Sequence, residues 1–443
     1  MSNIYVDMND VLARREEYEK ALAEKNISIP FFNETLDKYA DILERNRTIE
    51  KLHAEINELS ESFRAAPSDE RKQWIRKESN RISGELEKFE HGTDEAKDYR
   101  ETWLPRLEDL KWRLPNIPSP DAPKGVGDED NVVVRQVGEP RKFGFSPLSH
   151  YDILLNNDWA DFERISKVCG ARAYCLKGAA ARLEIAMHAF VMDKLADNGF
   201  TMISVPPLLN TDRPLLNSGH FPYSRDDVYK LAHEEGGAEK VDNLWLSGTA
   251  EIVLTSLHQD EILAESDLPV KYAGYSACFR REAGAAGRDT RGLFRVHSFA
   301  KTEQFVICRA DIAESDRWHA KLLSIAEEML ADFELPYRVV ANSTGDMGAG
   351  KYKMNDIETW MPSENKYRET HSCSSLSDWQ ARRANIRYRE NGTNKVKFCY
   401  TLNNTAIATP RIMAQFLENH QVSDGRVRLP EKLRPYMSGR EFL

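Results

Sequence analysis

Long apolar runs are missing from this sequence: none reaches the about 18 residues that a membrane-spanning helix needs. The amino terminus, MSNIYVDMND, has no basic segment leading into an apolar one, so no secretory signal and a cytoplasmic address are expected. Cysteine is scarce and scattered, at Cys169, Cys175, Cys278, Cys308, Cys373 and Cys399, with no close pair. That spacing lacks the ligand pattern of a structural zinc site, so no zinc is expected, and reduced thiols fit better than a disulfide framework. A phosphate loop of the G-x-x-x-x-G-K-[ST] type, a G-x-G-x-x-G after a strand and a nucleophile elbow are absent too, as are internal repeats. Any nucleotide must therefore be held by side chains, chiefly Arg. A surplus of positive charge is also lacking: the net charge of −10 argues against indiscriminate nucleic-acid binding, though not against local basic patches.

What the chain has is size and a mixed composition. Its 443 residues exceed what one hydrophobic core usually serves, so two or more domains are expected. With 41% hydrophobic and 30% charged residues it reads as globular rather than disordered. From Ile42 apolar residues return every seven, at Ile42, Ile49, Ile56 and Phe63, with Leu52 and Leu59 between them. After a break, AAPSDE, a second series runs Ile75, Ile82, Phe89, Ala96, Trp103 and Leu110, joined by Leu86, Tyr99, Leu107 and Leu114. Two heptad runs joined by a tight turn predict an antiparallel helical hairpin, and some 40 residues of helix make a rod of roughly 60 Å. Ser68 is placed to cap the second helix. Pro105 should kink or break that run, and Gly84 and Gly92 weaken it by about 1 kcal/mol each. Taken alone, heptads read most simply as a dimerisation coiled coil. Against that, a hairpin satisfies both seams within one chain and leaves a rod free to reach a distant partner. Arg64, Arg71, Lys72, Arg76, Lys77 and Arg81, near the tip, suit either phosphate contacts or a solvated surface.

A Pro- and Gly-rich stretch, LPNIPSPDAPKGVGDEDN, reads as a linker. Beyond Arg141 the pattern is mixed. A helix is expected from Ala179 to Asp197, and strands at Phe200 to Val205, Lys271 to Phe279, Phe294 to Cys308, Tyr337 to Ala341, Asp356 to Trp360 and Lys395 to Leu402. A last helix follows Pro410, which suits a first helical position. Strands joined by loops, with helices before and after, suggest a largely antiparallel sheet.

One stretch stands out chemically, Phe279 to Glu303, FRREAGAAGRDTRGLFRVHSFAKTE. A strand ends in Arg280, Arg281 and Glu282. A loop with Arg288 and Arg291 follows, then a returning strand on which Arg295, His297, Phe299, Lys301 and Glu303 would share a face. Such a row is a poor core and a plausible nucleotide platform, since Arg pairs phosphate, Phe stacks a base and Glu takes an ammonium. A surface-exposed strand is the plainer alternative.

Three segments in order, Gly199 to Pro207 (GFTMISVPP), Phe279 to Glu303, and Thr401 to Asn419 (TLNNTAIATPRIMAQFLEN), resemble the three motifs of class II aminoacyl-tRNA synthetases. TAE at Thr249 to Glu251, KYRETHSCS at Lys366 to Ser374, DWQARRANIRYR at Asp378 to Arg389, VVVRQVGEPRKF and LRPYM resemble the seryl-tRNA synthetase family in particular. The resemblance implies an α+β fold, an antiparallel sheet flanked by helices behind a helical-hairpin (coiled-coil) arm, and a homodimer formed through the first motif. The implied division is a tRNA-binding arm over 1–115, a linker over 116–140 and a catalytic domain over 141–443. The implied activity is ATP-dependent activation of L-serine and its transfer to the 3′ end of tRNA(Ser), and of tRNA(Sec) where present. By the same resemblance the catalytic residues are Arg280, Glu282 and Arg411. Arg280 would contact the α-phosphate and the serine carboxylate, Glu282 the adenine amino group, Phe299 the adenine ring and Arg411 the γ-phosphate, with Arg295 near the triphosphate. Arg281, Glu369, Thr370, His371 and Ser372 complete the implied ATP site, with Glu369 and Ser372 serving Mg²⁺. Thr249, Ala250, Glu251, Glu303, Asn403 and Thr405, with Arg280, would surround serine, and the loop with Arg288 and Arg291 would meet the tRNA end.

Three departures from the family pattern are visible. The third motif lacks the usual glycines, WLSG stands before TAE where Pro is usual, and His371 replaces a small or apolar residue. The alternatives to a tRNA ligase are an enzyme charging a carrier protein, a non-catalytic RNA-binding paralogue, and a second copy kept for antibiotic tolerance. A long arm is superfluous for the first, and the retained Arg280, Glu282 and Arg411 count against the second.

Overall fold

A computed structural model describes residues 4–90, 98–235, 238–284, 287, 289 and 291–443. They fall into two compact units: Val6–Leu22 with Ile27–Leu114, and Ala23–Asn26 with Pro115–Leu443 and the described part of Met1–Tyr5.

In the smaller unit the heptads form α1 (Phe32–Arg64) and α2 (Asp69–Glu90). Leu52, Ile82 and Leu86 are buried in their seam, flanked by Ile49, Ile56 and Leu59. The 33 residues of α1 span about 50 Å, somewhat less than the sequence suggests. Ser68 does cap α2, its Oγ accepting from the Arg71 N–H at 3.2 Å. Helix continues through Gly84, beside which a side chain would meet nothing within 4 Å. Gly92 and Ala96 lie outside the described residues. The second run breaks at Pro105, one of the two outcomes expected. A π-helical turn over Tyr99–Trp103 ends first, and α3 (Leu104–Arg113) starts with the proline in its first turn, where the missing N–H costs nothing. Leu107, Leu110 and Leu114 then pack with Met8, Val11, Leu22, Phe32 and Leu36, a separate core at the base of the hairpin.

The larger unit is built on one eight-stranded sheet: β1 (Val132–Val137), β2 (Thr201–Ser204), β3 (Val270–Phe279), β4 (Ser298–Cys308), β5 (Tyr337–Ala341), β6 (Lys353–Met361), β7 (Lys366–Ser375) and β8 (Tyr400–Ala408). Their order is β1-β5-β6-β7-β8-β4-β3-β2, antiparallel throughout except for β2 beside β3. Along β4, Val306 and Cys308 enter the core under α4 (Gly178–Asp197), whereas Phe305 and Ile307 enter a second core with Ala250 and Leu254 of α5 (Ala250–Ser256). This period-two alternation covers both faces of the sheet. Helices α6 (Ile312–Asp332) and α7 (Thr409–His420) add Leu322, Ile325, Met329, Ile412, Phe416 and Leu417 to the first core.

Two expectations need correction. The stretch expected as a linker is held within this unit. The Asn116, Ser119 and Thr344 N–H groups donate to Ala349, Tyr352 and Pro123 carbonyls, and β1 pairs with β5. Proline removes donors, but the remaining amides of an extended segment still find partners. The strand expected over Lys395 to Leu402 is two pieces. Val396–Phe398 joins a small sheet with Arg387–Arg389 and Ile262–Ala264, and the chain then crosses into the main sheet as β8.

Candidate active site

Several elements meet at one cavity. Thr249 caps α5, its Oγ1 accepting from the Glu251 N–H at 3.3 Å, which sets Thr249 and Glu251 side by side. Alternation on β4 places Phe299, Lys301 and Glu303 on one face, and β8 runs beside it with Thr405 opposite Glu303. Arg280 follows the end of β3, Glu369 and Ser372 stand on β7, and Arg411 projects from the first turn of α7. These side chains, with Asn403, Glu282, Arg295 and Thr370, line a cavity of ≈ 250 Å³.

Three expected site residues lie elsewhere. Arg281 is exposed, and its N–H donates to the Asp227 carbonyl. Ala250 is fully buried at the start of α5. His371 is buried behind β7, bonded to Thr370 Oγ1 at 2.8 Å and the Ala406 carbonyl at 3.2 Å; a register shift at Thr370 puts it out of step with Glu369, and it does not line the cavity. Arg291 is exposed and does not line the cavity, and Arg288 lies outside the described residues. The expected strand face from Arg295 is cut short, because β4 begins only at Ser298. Arg295 reaches the cavity from the preceding turn, while His297 Nδ1 meets the Arg280 carbonyl at 2.9 Å. Lining residues that the motifs did not single out include His220, Phe294 and Lys351. Phe294 carries Arg368 and Arg411 over its ring, at 3.8 and 5.4 Å from the centroid, and so steadies Arg411.

The charges form two sets. In the buried set, Glu251 Oε1 accepts from Gln380 and Asn403 at 2.8 and 2.9 Å, and Glu303 is bonded to Lys301 and to Thr249 Oγ1. Burial drives the Glu251 carboxyl up, but Lys351, His220 and Lys301 more than offset this and hold it below its ordinary value. Glu303 stays above its ordinary value, because burial and the Glu251 charge outweigh Lys301. In the second set, Arg411 pairs with Glu369 at 2.8 Å and Arg295 with Glu282 at 2.7 Å. Glu282 holds a left-handed backbone, φ 53°, which turns its carboxylate back toward Arg295. The Arg280 guanidinium lies 5.4 Å from the Phe299 centroid, with its Nε donating to the Gly248 carbonyl at 3.2 Å. A proline at that position would offer the same carbonyl, so the departure from the family pattern leaves this contact unchanged.

A family model for the tRNA synthetase class II core domain (G, H, P, S and T) matches residues 229–420. A serine–tRNA ligase from Deinococcus radiodurans is 46% identical over 438 residues, 99% of either chain. The chain belongs to the seryl-tRNA synthetase family. A second ligase of the family, from Clostridium tetani, is 38% identical to this synthetase across 99% of this chain and 100% of its own. Among solved structures, the seryl-tRNA synthetase from Pyrococcus horikoshii complexed with ATP superposes with a TM-score of 0.83 at 34% identity, covering 99% of both chains. The cytoplasmic serine–tRNA ligase from Naegleria fowleri in complex with AMP gives 0.84 at 25% identity, over 100% of this chain and 99% of its own.

Burial also sets how this synthetase responds to acid. His188, His319, His371 and His420 are all buried, and burial pushes each from 6.5 down to about 4. The unfolded chain therefore binds more protons than the folded one between those values. Stability is complete above about pH 6.5 and is lost as pH falls through about 4, by on the order of 3 kcal/mol per histidine. The urea midpoint should fall steadily from pH 6.5 to 4.5; a constant midpoint over that range would contradict the assignment.

Proposed function

We propose that this chain condenses ATP with L-serine to seryl-adenylate and then transfers the seryl group to the 3′ end of tRNA(Ser), and of tRNA(Sec) where present. The observation that carries this reading is the meeting, in one cavity, of Arg280 and Arg411 with the buried pair Glu251 and Glu303. Cations suit a triphosphate, and carboxylates suit the ammonium and hydroxyl of a small amino acid.

The serine carboxylate is already ionised at neutral pH, so its attack on the α-phosphorus needs no general base. One oxygen forms the new P–O bond as the bond to pyrophosphate breaks. Catalysis is then in-line positioning and charge stabilisation. Arg280 would bridge the serine carboxylate and the α-phosphate, and Arg411, released from Glu369, would bind the γ-phosphate. Phe299 would stack on adenine and Glu282 would accept from its amino group. Thr249, Glu251, Glu303, Asn403 and Thr405 would surround serine.

A magnesium ion accompanying ATP suits the oxygens at hand. Glu369 and Ser372 stand on β7, and Asp356, opposite Ser372 on β6, has a buried Oδ1 without a hydrogen-bond partner among the described residues. Two protein oxygens plus phosphates is the usual Mg²⁺ environment, so Glu369 and Ser372 would hold it, and it would neutralise developing phosphate charge.

We assign the helical unit to tRNA binding and residues 141–443 to catalysis. Homodimer formation through the first motif is supported by the exposed apolar side chains of Ile185, Met202, Leu208 and Tyr275. No helix among the described residues is long and apolar enough to cross a membrane, and the cytoplasmic address is part of the same reading. Serine-dependent ATP–pyrophosphate exchange, measured beside threonine, alanine and glycine, tests the central step. Folded protein with Mg²⁺ that gives no exchange with serine would refute it, and exchange without tRNA charging would point to another acceptor.

A further inference from the structure

Lys351 lies in none of the sequence motifs, yet it lines the cavity with its Nζ 3.9 Å from Glu251 Oε1. That is ion-pair range and too long for a hydrogen bond. Gln380 and Asn403 already donate to the same carboxylate oxygen. Among the described residues the Lys351 ammonium makes no hydrogen bond, so its donors face whatever enters the buried end of the cavity.

The turn that carries Lys351 is fixed on several sides. The buried Lys25 Nζ donates to the carbonyls of Gly348, Ala349 and Lys351 at 3.2, 3.0 and 2.6 Å. Asn116 Nδ2 donates to the Gly350 carbonyl at 3.1 Å, and its backbone N–H to that of Ala349 at 2.9 Å. Gly350 presses on Trp379 so closely that a Cβ there would stand 2.5 Å from the ring. Gly219, just before His220, meets the same ring, where a Cβ would stand 2.2 Å away. Both cavity residues are thus placed by backbone packed on one indole, and Gln380, the next residue, binds Glu251. The site is preorganised around that carboxylate.

We infer that Lys351 is a specificity-determining residue: its ammonium donates to the side-chain hydroxyl oxygen of the bound amino acid while Glu251 accepts the hydroxyl hydrogen. The inference rests on the serine-activation reading above. A hydroxyl is both donor and acceptor, and a carboxylate alone reads only the donor half. With Lys351 the acceptor half is read as well. A methyl in its place satisfies neither the ammonium nor the carboxylate, which is the arrangement that rejects an analogue lacking the hydroxyl.

The test compares exchange with serine and with alanine for the full chain and for Lys351→Ala and Lys351→Gln. In Lys351→Ala, kcat/KM for serine should fall about 10- to 100-fold while that for alanine changes little, so the serine-to-alanine ratio drops at least about tenfold. The KM for ATP should stay within about twofold, a split that general misfolding does not produce. Lys351→Gln keeps a donor and should give an intermediate ratio. A ratio in Lys351→Ala within about twofold of the unsubstituted protein would overturn the inference while leaving serine activation intact. Absence of serine exchange in the unsubstituted protein would instead refute the functional reading, and this inference with it.

Discussion

Arg280→Ala is expected to lower serine-dependent ATP–pyrophosphate exchange by about 10³-fold with little change in stability. The size follows from the demand on this side chain. Adenylate formation brings a carboxylate up to a phosphate, so two anions must share a small volume before the leaving group carries charge away. One guanidinium presenting several donors in a plane can serve both. Arg280 has the freedom to do so, since among the described residues only its Nε is committed, to the Gly248 carbonyl, while Phe299 supports its face. Exchange is the right readout because it isolates the first half-reaction. Arg281→Ala provides the contrast, because that exposed side chain lies outside the cavity, and its loss should change exchange by no more than about twofold. Exchange by Arg280→Ala within tenfold of the parent would remove Arg280 from the assigned role.

Replacing residues 47–88 with a short glycine–serine linker should lower tRNA charging by about 10³-fold or more while exchange stays within about twofold. The cut respects the packing. It removes the Leu52–Ile82–Leu86 seam whole, so no half-seam is left exposed, and it keeps the base core around Leu36, Leu107 and Leu110. Phosphate contacts carry much of nucleic-acid affinity, and the tip offers Arg64, Lys77 and their neighbours for them. Charging by the intact chain should accordingly weaken as salt rises. A parallel loss of exchange and charging would mean that the helices serve only the fold.

Much of the fold was legible because it is local. The seven-residue spacings Ile49–Ile56 and Ile75–Ile82, on either side of the AAPSDE break, mark two helices, and the span of Tyr337–Ala341 matches the expected strand. Pro105 announced a break in the second run, but not that a new helix would start there with the proline in its first turn, since the two placements look alike in one dimension. The linker reading failed for a related reason, since composition reports lost donors but not the distant carbonyls that satisfy the rest. At the site, family motifs singled out Arg280, Glu303, Asn403 and Arg411, all of which line the cavity. They also included Arg281, Ala250 and His371, which are neighbours in sequence but face away. Lys351 had no motif to betray it, because its place depends on Lys25 and Asn116, hundreds of residues earlier.

The anchoring of the 348–351 turn has a consequence for modularity. Lys25 belongs to the larger unit although the chain then passes through Ile27–Leu114 of the helical unit before returning at Pro115. A fragment beginning at Pro115 would retain every strand of the sheet yet leave three carbonyls without their buried amine. Exchanging the arm for that of a relative is therefore also an edit to the amino-acid pocket, unless residues 23–26 stay with the catalytic half. The two halves of the chain would be inherited, and engineered, as a pair.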